Sequence, residues 1–190
     1  MKILVTGFEP FGPDAVNAAW EAVSRLPETI GGAEILKRQL PVEYEAGPAR
    51  LKALIGELAP DAVLAVGQAA GRAALTPELV GINWKDAPLP DNAGVLCQGE
   101  PIDPAGADAH FSSLPVKEMV SAIRGAGVPT QLSLSAGAYL CNGALCRRTT
   151  LPDHRGLPSC ALLQAGAGKA LPAPPSPQDR KRLWPSSRRA

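Results

Sequence analysis

Apolar residues along the first third of this chain fall into two alternating patterns. Unbroken runs that stop at a glycine, Ile3-Leu4-Val5-Thr6-Gly7 and Ala62-Val63-Leu64-Ala65-Val66-Gly67, predict buried strands. Between them Ala33 to Val42 (AEILKRQLPV) predicts a further strand. Helical spacing takes over from Asn17 to Leu26, where Trp20, Val23 and Leu26 recur every third position. It returns from Tyr44 to Leu58, where Leu51, Leu54, Ile55 and Leu58 form one stripe. Strand, helix, strand, helix, strand is the rhythm of βαβ units, and it predicts a parallel sheet with helices on both faces.

The rhythm changes after Gly67. Gln68-Ala69-Ala70-Gly71-Arg72 forms a polar, glycine-bearing loop at a strand's carboxyl end. Ala73 to Trp84 then holds Glu78 among mostly apolar neighbours. A carboxylate there must be exposed, paired or hydrogen-bonded, and a solvated edge-strand glutamate meets that demand as readily as a functional acid. Pro90-Asp91-Asn92-Ala93-Gly94 is a strong turn signal and predicts an excursion or hairpin off the sheet. His110 falls in a loop-like run and reads as a surface residue, while Val116 to Gly125 reads as a helix. Gln131 to Ser135 reads as one more buried strand, leading through Ala136-Gly137-Ala138-Tyr139-Leu140-Cys141-Asn142 into residues of helical tendency.

Two loops are candidates for chemistry. A cysteine at a strand-to-helix turn can meet the first free backbone N–H groups and the helix dipole, which stabilise a thiolate. Cys141 can equally be a small buried hydrophobe. Phe8-Glu9-Pro10-Phe11-Gly12-Pro13 is a rigid loop at the carboxyl end of the first strand, where open α/β sheets bind ligands. Its two rings form a pocket wall or cap the core. The glycines do not follow the GxGxxG spacing, so a dinucleotide fingerprint is excluded.

A length of 190 residues suits one compact domain with a sizeable core. A formal net charge of +1 supplies no bulk pull toward nucleic acid or membrane. No apolar run approaches bilayer length, and the first residues reach Gly7 too soon for a signal peptide, so a soluble cytoplasmic protein is expected. Cys97, Cys141, Cys146 and Cys160 lack paired CxxC spacing, and with only His110 and His154 beside them no metal site is expected.

Taken together, five segments resemble the pyroglutamyl peptidase I family of cysteine peptidases, also called pyrrolidone-carboxylate peptidases. They are Leu4 to Gly12, Gly67 to Arg72, Glu78 with Asn83, Pro90 to Gly94, and Ser135 to Asn142. The resemblance implies a three-layer α/β/α sandwich around a mostly parallel twisted sheet. It implies an omega-peptidase that removes N-terminal pyroglutamate from peptides through a thiol acyl-enzyme, without metal or organic cofactor. A homo-oligomer, commonly a tetramer, is implied as well. By motif match the nucleophile falls on Cys141 and the acid on Glu78. Phe8, Phe11, Tyr139 and Leu140 match the residues around the pyrrolidone ring, Asn17 and Gln68 match positions near the ligand, and Arg72 matches a support or oxyanion position.

The resemblance covers about residues 1–145. Beyond it the family continues into a strand of the type Gly-Phe-(Ile/Leu)-His-Val-Pro, whose histidine is the general base, and no such motif follows here. His154 is the one histidine after Cys141 and becomes the stand-in candidate for the base, although it sits in a turn-forming segment only thirteen residues on. The chain therefore divides into a peptidase-like α/β domain, 1–146, and a divergent Pro- and Arg-rich segment, 147–190, expected to be extended or disordered at its end. A shift of coding frame near residue 146 would account for the change in composition, and the gene sequence tests it. This leaves the last strand and closing helix of the sandwich open to being missing. The expected consequence is low or absent turnover, or a non-catalytic binding protein built on the same pocket.

Overall fold

A computed structural model describes residues 1–69, 71–149 and 159–165, with backbone alone for 146–149, 159 and 160. The strands are β1 (Lys2–Phe8), β2 (Thr29–Ile30), β3 (Ala33–Leu40), β4 (Ala62–Gln68), β5 (Thr76–Glu78), β6 (Val80–Ile82), β7 (Lys85–Asp86), β8 (Gln98–Glu100), β9 (Ala109–Phe111) and β10 (Ser159–Ala165). The helices are α1 (Ala18–Ser24), α2 (Ala46–Leu58), α3 (Val116–Gly125) and α4 (Leu140–Thr149). Six strands form the central sheet in the order β2-β3-β1-β4-β10-β5. The pairs β3–β1, β1–β4 and β4–β10 are parallel, and the outer pairs β2–β3 and β10–β5 are antiparallel.

Alternation along the strands splits the core in two. Leu4, Leu40, Val63, Ala65 and Leu162 join α2 and α4 residues such as Leu51, Leu54, Ala144 and Leu145. Their neighbours Val5, Ile35 and Val66 pack instead with Ala19 and Val23 of α1. Successive strand side chains point to opposite faces, so helices cover both sides of the sheet. Gly7 permits the close approach of α1: a Cβ there would lie 2.8 Å from the Trp20 Cα. The hairpin excursion predicted around Pro90 to Gly94 is present as two small antiparallel pairs, β6–β9 and β7–β8. Its turn is built on Asp91, whose carboxylate accepts from the Ala93 and Val95 N–H groups, with Gly94 at φ 81°. No helix among the described residues is long and apolar enough to cross a membrane.

Three sequence expectations change. Gln131 to Ser135 is not a strand; beside β5 there are isolated bridges, Thr130 with Leu75 and Ser133 with Glu78, and backbone hydrogen bonds from Gln131 to Leu75 and from Ser133 to Pro77. Ser133 Oγ turns back to the Ser135 backbone, and Leu134 is exposed, so the segment has no second neighbour to extend a ladder. His110 is not in a surface loop but half-buried on β9, paired with Gly81. Most consequential is β10, within the segment set apart as divergent. Ala161 and Leu162 are fully buried, and their burial between β4 and β5 explains how so irregular a sequence supplies an interior strand.

Candidate active site

Cys141 is the second residue of α4, and the sequence just around it fixes where that helix begins. Gly137 takes φ 77°, a left-handed turn that L side chains rarely adopt, and its N–H reaches Ser135 Oγ at 3.2 Å. The fully buried Asn142 then clamps the helix to β6 and the residues after it. Its Oδ1 accepts from the Ile82 N–H at 2.8 Å, and its Nδ2 donates to the Ile82 and Trp84 carbonyls at 2.8 and 2.9 Å. The thiol lies against Gly67 at the carboxyl end of β4, where any Cβ would overlap Sγ. Gly67 is thus required by proximity rather than by backbone angle.

The acid side of the site is densely wired. Glu78 on β5 is fully buried, and its Oε1 receives Arg72 Nη1 at 2.6 Å. The same guanidinium donates to Thr76 Oγ1, to Ser133 Oγ at 3.4 Å and to the Ser135 carbonyl at 3.0 Å. Arg72 therefore ties β5 to the loop that leads into Cys141. Burial pushes the Glu78 carboxyl above its ordinary range; the Ser133 hydrogen bond, the Arg72 charge and hydrogen bond, and Thr76 pull it back. Glu78 Oε2 is buried with no hydrogen-bond partner among the described residues.

Across the strand register from Thr76 stands Gln164 of β10, a residue that sequence reasoning passed over. Its Cγ and Cys141 Sγ both crowd the one open position over Gly67. Gln164 Nε2 donates to the Ala136 carbonyl at 3.3 Å, which fixes the amide's orientation, and Oε1 is buried without a partner among the described residues. Its backbone carbonyl accepts from Thr76 Oγ1 at 3.2 Å. Burial raises the Cys141 thiol above its ordinary pKa, and the Glu78 charge adds to the rise. A hydrogen bond from Gln164, the Arg72 charge and the cysteine's own backbone N–H oppose it. The balance keeps a half-buried sulfur in its neutral form.

The pocket candidates separate into rings and ties. Phe11 and Tyr139 face each other with centroids 6.2 Å apart, and Tyr44 meets Tyr139 edge-on at 5.5 Å. Tyr139 is anchored by its hydroxyl to the Pro90 carbonyl at 3.1 Å. Phe8 and Leu140 are buried in the core and support these rings from beneath. Asn17 caps α1 through Oδ1 and donates to the Glu9 carbonyl at 2.9 Å, holding the Phe8 to Pro13 loop to the helix. Gln68 receives the Ala18 N–H at 2.8 Å and reaches Asp14 at 3.1 Å. Cys141, Glu78, Arg72, Tyr139 and Phe11 are therefore gathered at one end of the sheet, and His154 lies outside the described residues. The signal for Gln164 was the apolar run Ala161-Leu162-Leu163 directly before it, in a segment whose composition suggested no strand.

Known proteins share both sequence and fold with this chain. The family model described as Pyroglutamyl peptidase matches residues 1–162. The pyrrolidone-carboxylate peptidase of Thermococcus onnurineus is 49% identical over 145 residues, covering 76% of this chain and 72% of that protein. That of Lactobacillus johnsonii is 51% identical over 142 residues, covering 75% of this chain and 66% of its own length. Among solved structures, a mutant pyrrolidone carboxyl peptidase from P. furiosus superposes with a TM-score of 0.83 at 35% identity, covering 87% of this chain and 81% of the other. Pyroglutamyl peptidase I of Bacillus amyloliquefaciens gives 0.83 at 36% identity with the same coverage.

Proposed function

The chain belongs to the pyroglutamyl peptidase family, and we propose that its site binds N-terminal pyroglutamyl peptides around Cys141 but turns them over slowly. The observation that carries this reading is the convergence on Cys141 of a buried acid station, Arg72–Glu78, and an amide, Gln164, with no imidazole among the described residues acting on the thiol.

Pyroglutamate is a flat, neutral lactam without a free amine. Phe11 and Tyr139 offer it an apolar wall, and an ordinary ammonium terminus would be desolvated there without a partner. Cys141 Sγ attacks the carbonyl after the ring, the C–N bond breaks, and a thioester forms that water later hydrolyses. Free N–H groups at the start of α4 face the carbonyl oxygen as it gains charge. Arg72 directs Nη1 to Glu78, Thr76 and Ser133 and Nη2 to the Ser135 carbonyl, so its part is to hold the acid and the loop. What the site needs in addition is a group that takes the thiol proton and gives it to the leaving amine. A carboxamide cannot.

Gln164 favours a second reading, a binding protein in which the pyroglutamyl pocket outlives catalysis. Both readings are tested by mixing the purified full chain with pyroglutamyl p-nitroanilide and, separately, by titrating it calorimetrically with a pyroglutamyl dipeptide. Slow release that disappears in Cys141→Ser supports the peptidase reading. Binding that is equal in both proteins, with no release from either, supports the binder. Absence of binding contradicts both.

A further inference from the structure

We propose that Lys85 is a positioning residue of the pyroglutamyl pocket, its ammonium holding the Tyr44 ring and, through that ring, the face of Tyr139 on which the lactam packs. The inference rests on the pyroglutamyl-peptidase reading of the site.

Tyr139 needs such a hold. Its hydroxyl donates to the Pro90 carbonyl at 3.1 Å, and one bond at the tip leaves the ring free to swing about its long axis. Phe11 lies to one side, tilted by 48° at a centroid distance of 6.2 Å. The sharper constraint is Tyr44, which meets Tyr139 at 5.5 Å with the ring planes 88° apart. Tyr44 must in turn be held. Its backbone N–H is fixed to Asp91 Oδ2 at 2.8 Å, but its buried hydroxyl has no hydrogen-bond partner among the described residues. Burial, with Cys97, Tyr139, Asp91 and Asp86 nearby, pushes that phenol well above its ordinary range. The ring is therefore neutral, and it is oriented by what its faces and edges touch.

Lys85 supplies that contact. Its Nζ stands 5.9 Å from the Tyr44 centroid, within cation–π reach. The side chain is only 15% exposed, and the ammonium is tethered to Glu100 at 3.4 Å and to Glu45 at 4.0 Å. Glu100 is its register partner across the β7–β8 ribbon, so the tether is built into the strand pairing. Both carboxylates stand largely in solvent, which makes the tether weak in energy and chiefly a guide. The next residue, Asp86, donates its N–H to the carbonyl of Ala138 at 3.0 Å, directly before Tyr139. One short strand thus reaches Tyr139 twice, by backbone through Ala138 and by side chain through Tyr44.

The test titrates the full chain calorimetrically with a pyroglutamyl dipeptide, with folding checked by circular dichroism. Lys85→Met is expected to weaken binding about 3- to 10-fold, the equilibrium counterpart of one partly covered cation–π contact. Lys85→Arg keeps a cation for the ring and should bind to within about twofold of the parent. In a Tyr44→Leu background, Lys85→Met should add no more than about a twofold loss, because the ring through which it acts is gone. Should Tyr44→Leu not fold, Lys85→Met against Lys85→Arg decides alone. The inference is overturned if folded Lys85→Met binds as the parent does, or if Lys85→Arg loses as much as Lys85→Met. It is also overturned if the loss is equally large in the Tyr44→Leu background, since Lys85 would then reach the ligand without Tyr44. If the parent itself does not bind the dipeptide, the underlying reading of the site fails, and the inference with it.

Discussion

Strands β5 and β10 lie side by side, and each sends one polar side chain to the space beside Cys141. On β5 the buried Glu78 is matched by a guanidinium that also gathers Thr76, Ser133 and Ser135. On β10 the buried Gln164 donates to the Ala136 carbonyl and hydrogen-bonds Cys141, while its side-chain oxygen has no donor among the described residues. Backbone pairing holds β10 between β4 and β5, whereas β5 is the outermost strand of the sheet. The contrast teaches that a strand's place in a sheet is secured by apolar burial and ladder hydrogen bonds, which Ala161 and Leu162 provide. The chemistry at its end depends on one residue that neither force specifies.

The largest effect expected from disturbing the β5 side is that of Arg72→Ala. It leaves a fully buried carboxylate without its partner, and thermal or denaturant unfolding at neutral pH should show a loss of about 3 kcal/mol, the lower end for a broken buried pair because the arginine keeps some solvent contact. The sign with pH follows. Glu78 already titrates above its ordinary 4.5, and without Arg72 it rises further. A raised carboxyl stabilises the fold below its unfolded value and loses that contribution as pH rises. The deficit of the variant should therefore shrink on acidification. A deficit independent of pH would mean that Arg72 acts by packing alone.

Asn142→Ala tests the scaffold common to both strands. It strips partners from the Ile82 N–H and from the Ile82 and Trp84 carbonyls, and about 2 to 3 kcal/mol should be lost. Gly67→Ala acts on the β10 side, where the new methyl would push Sγ away from Gln164. About 1 to 3 kcal/mol of overpacking strain is expected, and peptide-resolved alkylation should show a changed rate at Cys141. Tyr139→Phe removes only the bond to the Pro90 carbonyl, and its cost should be about 1 kcal/mol with the ring stack retained.

The same contrast explains what was legible in the sequence. β1, β3, β4, α1, α2 and α3 were readable because runs and stripes of apolar residues report directly on burial. Glu78 could be named from its motif, yet its isolated reading was ambiguous, because only the fold brings Arg72 within reach six residues away in sequence and Ser133 from much further. Gln131 to Ser135 misled, since a short apolar run cannot tell a paired strand from an edge segment joined by isolated bridges. Gln164 was illegible for the opposite reason. Seven residues of weak pattern are made a strand by the neighbours that close over them, and long-range pairing leaves no local trace.

The most direct test of the account is the pH profile of Cys141 alkylation by iodoacetamide, followed on the peptide that contains it. Burial and the nearby Glu78 charge hold the thiol above its ordinary 9.0, outweighing Gln164 and Arg72. The account predicts a rate that is slow at neutral pH and climbs about tenfold per pH unit to beyond pH 9, as the thiolate forms. A rate already at its plateau near neutral pH would contradict it, because Cys141 would then be a prepared thiolate with a partner not found among the described residues.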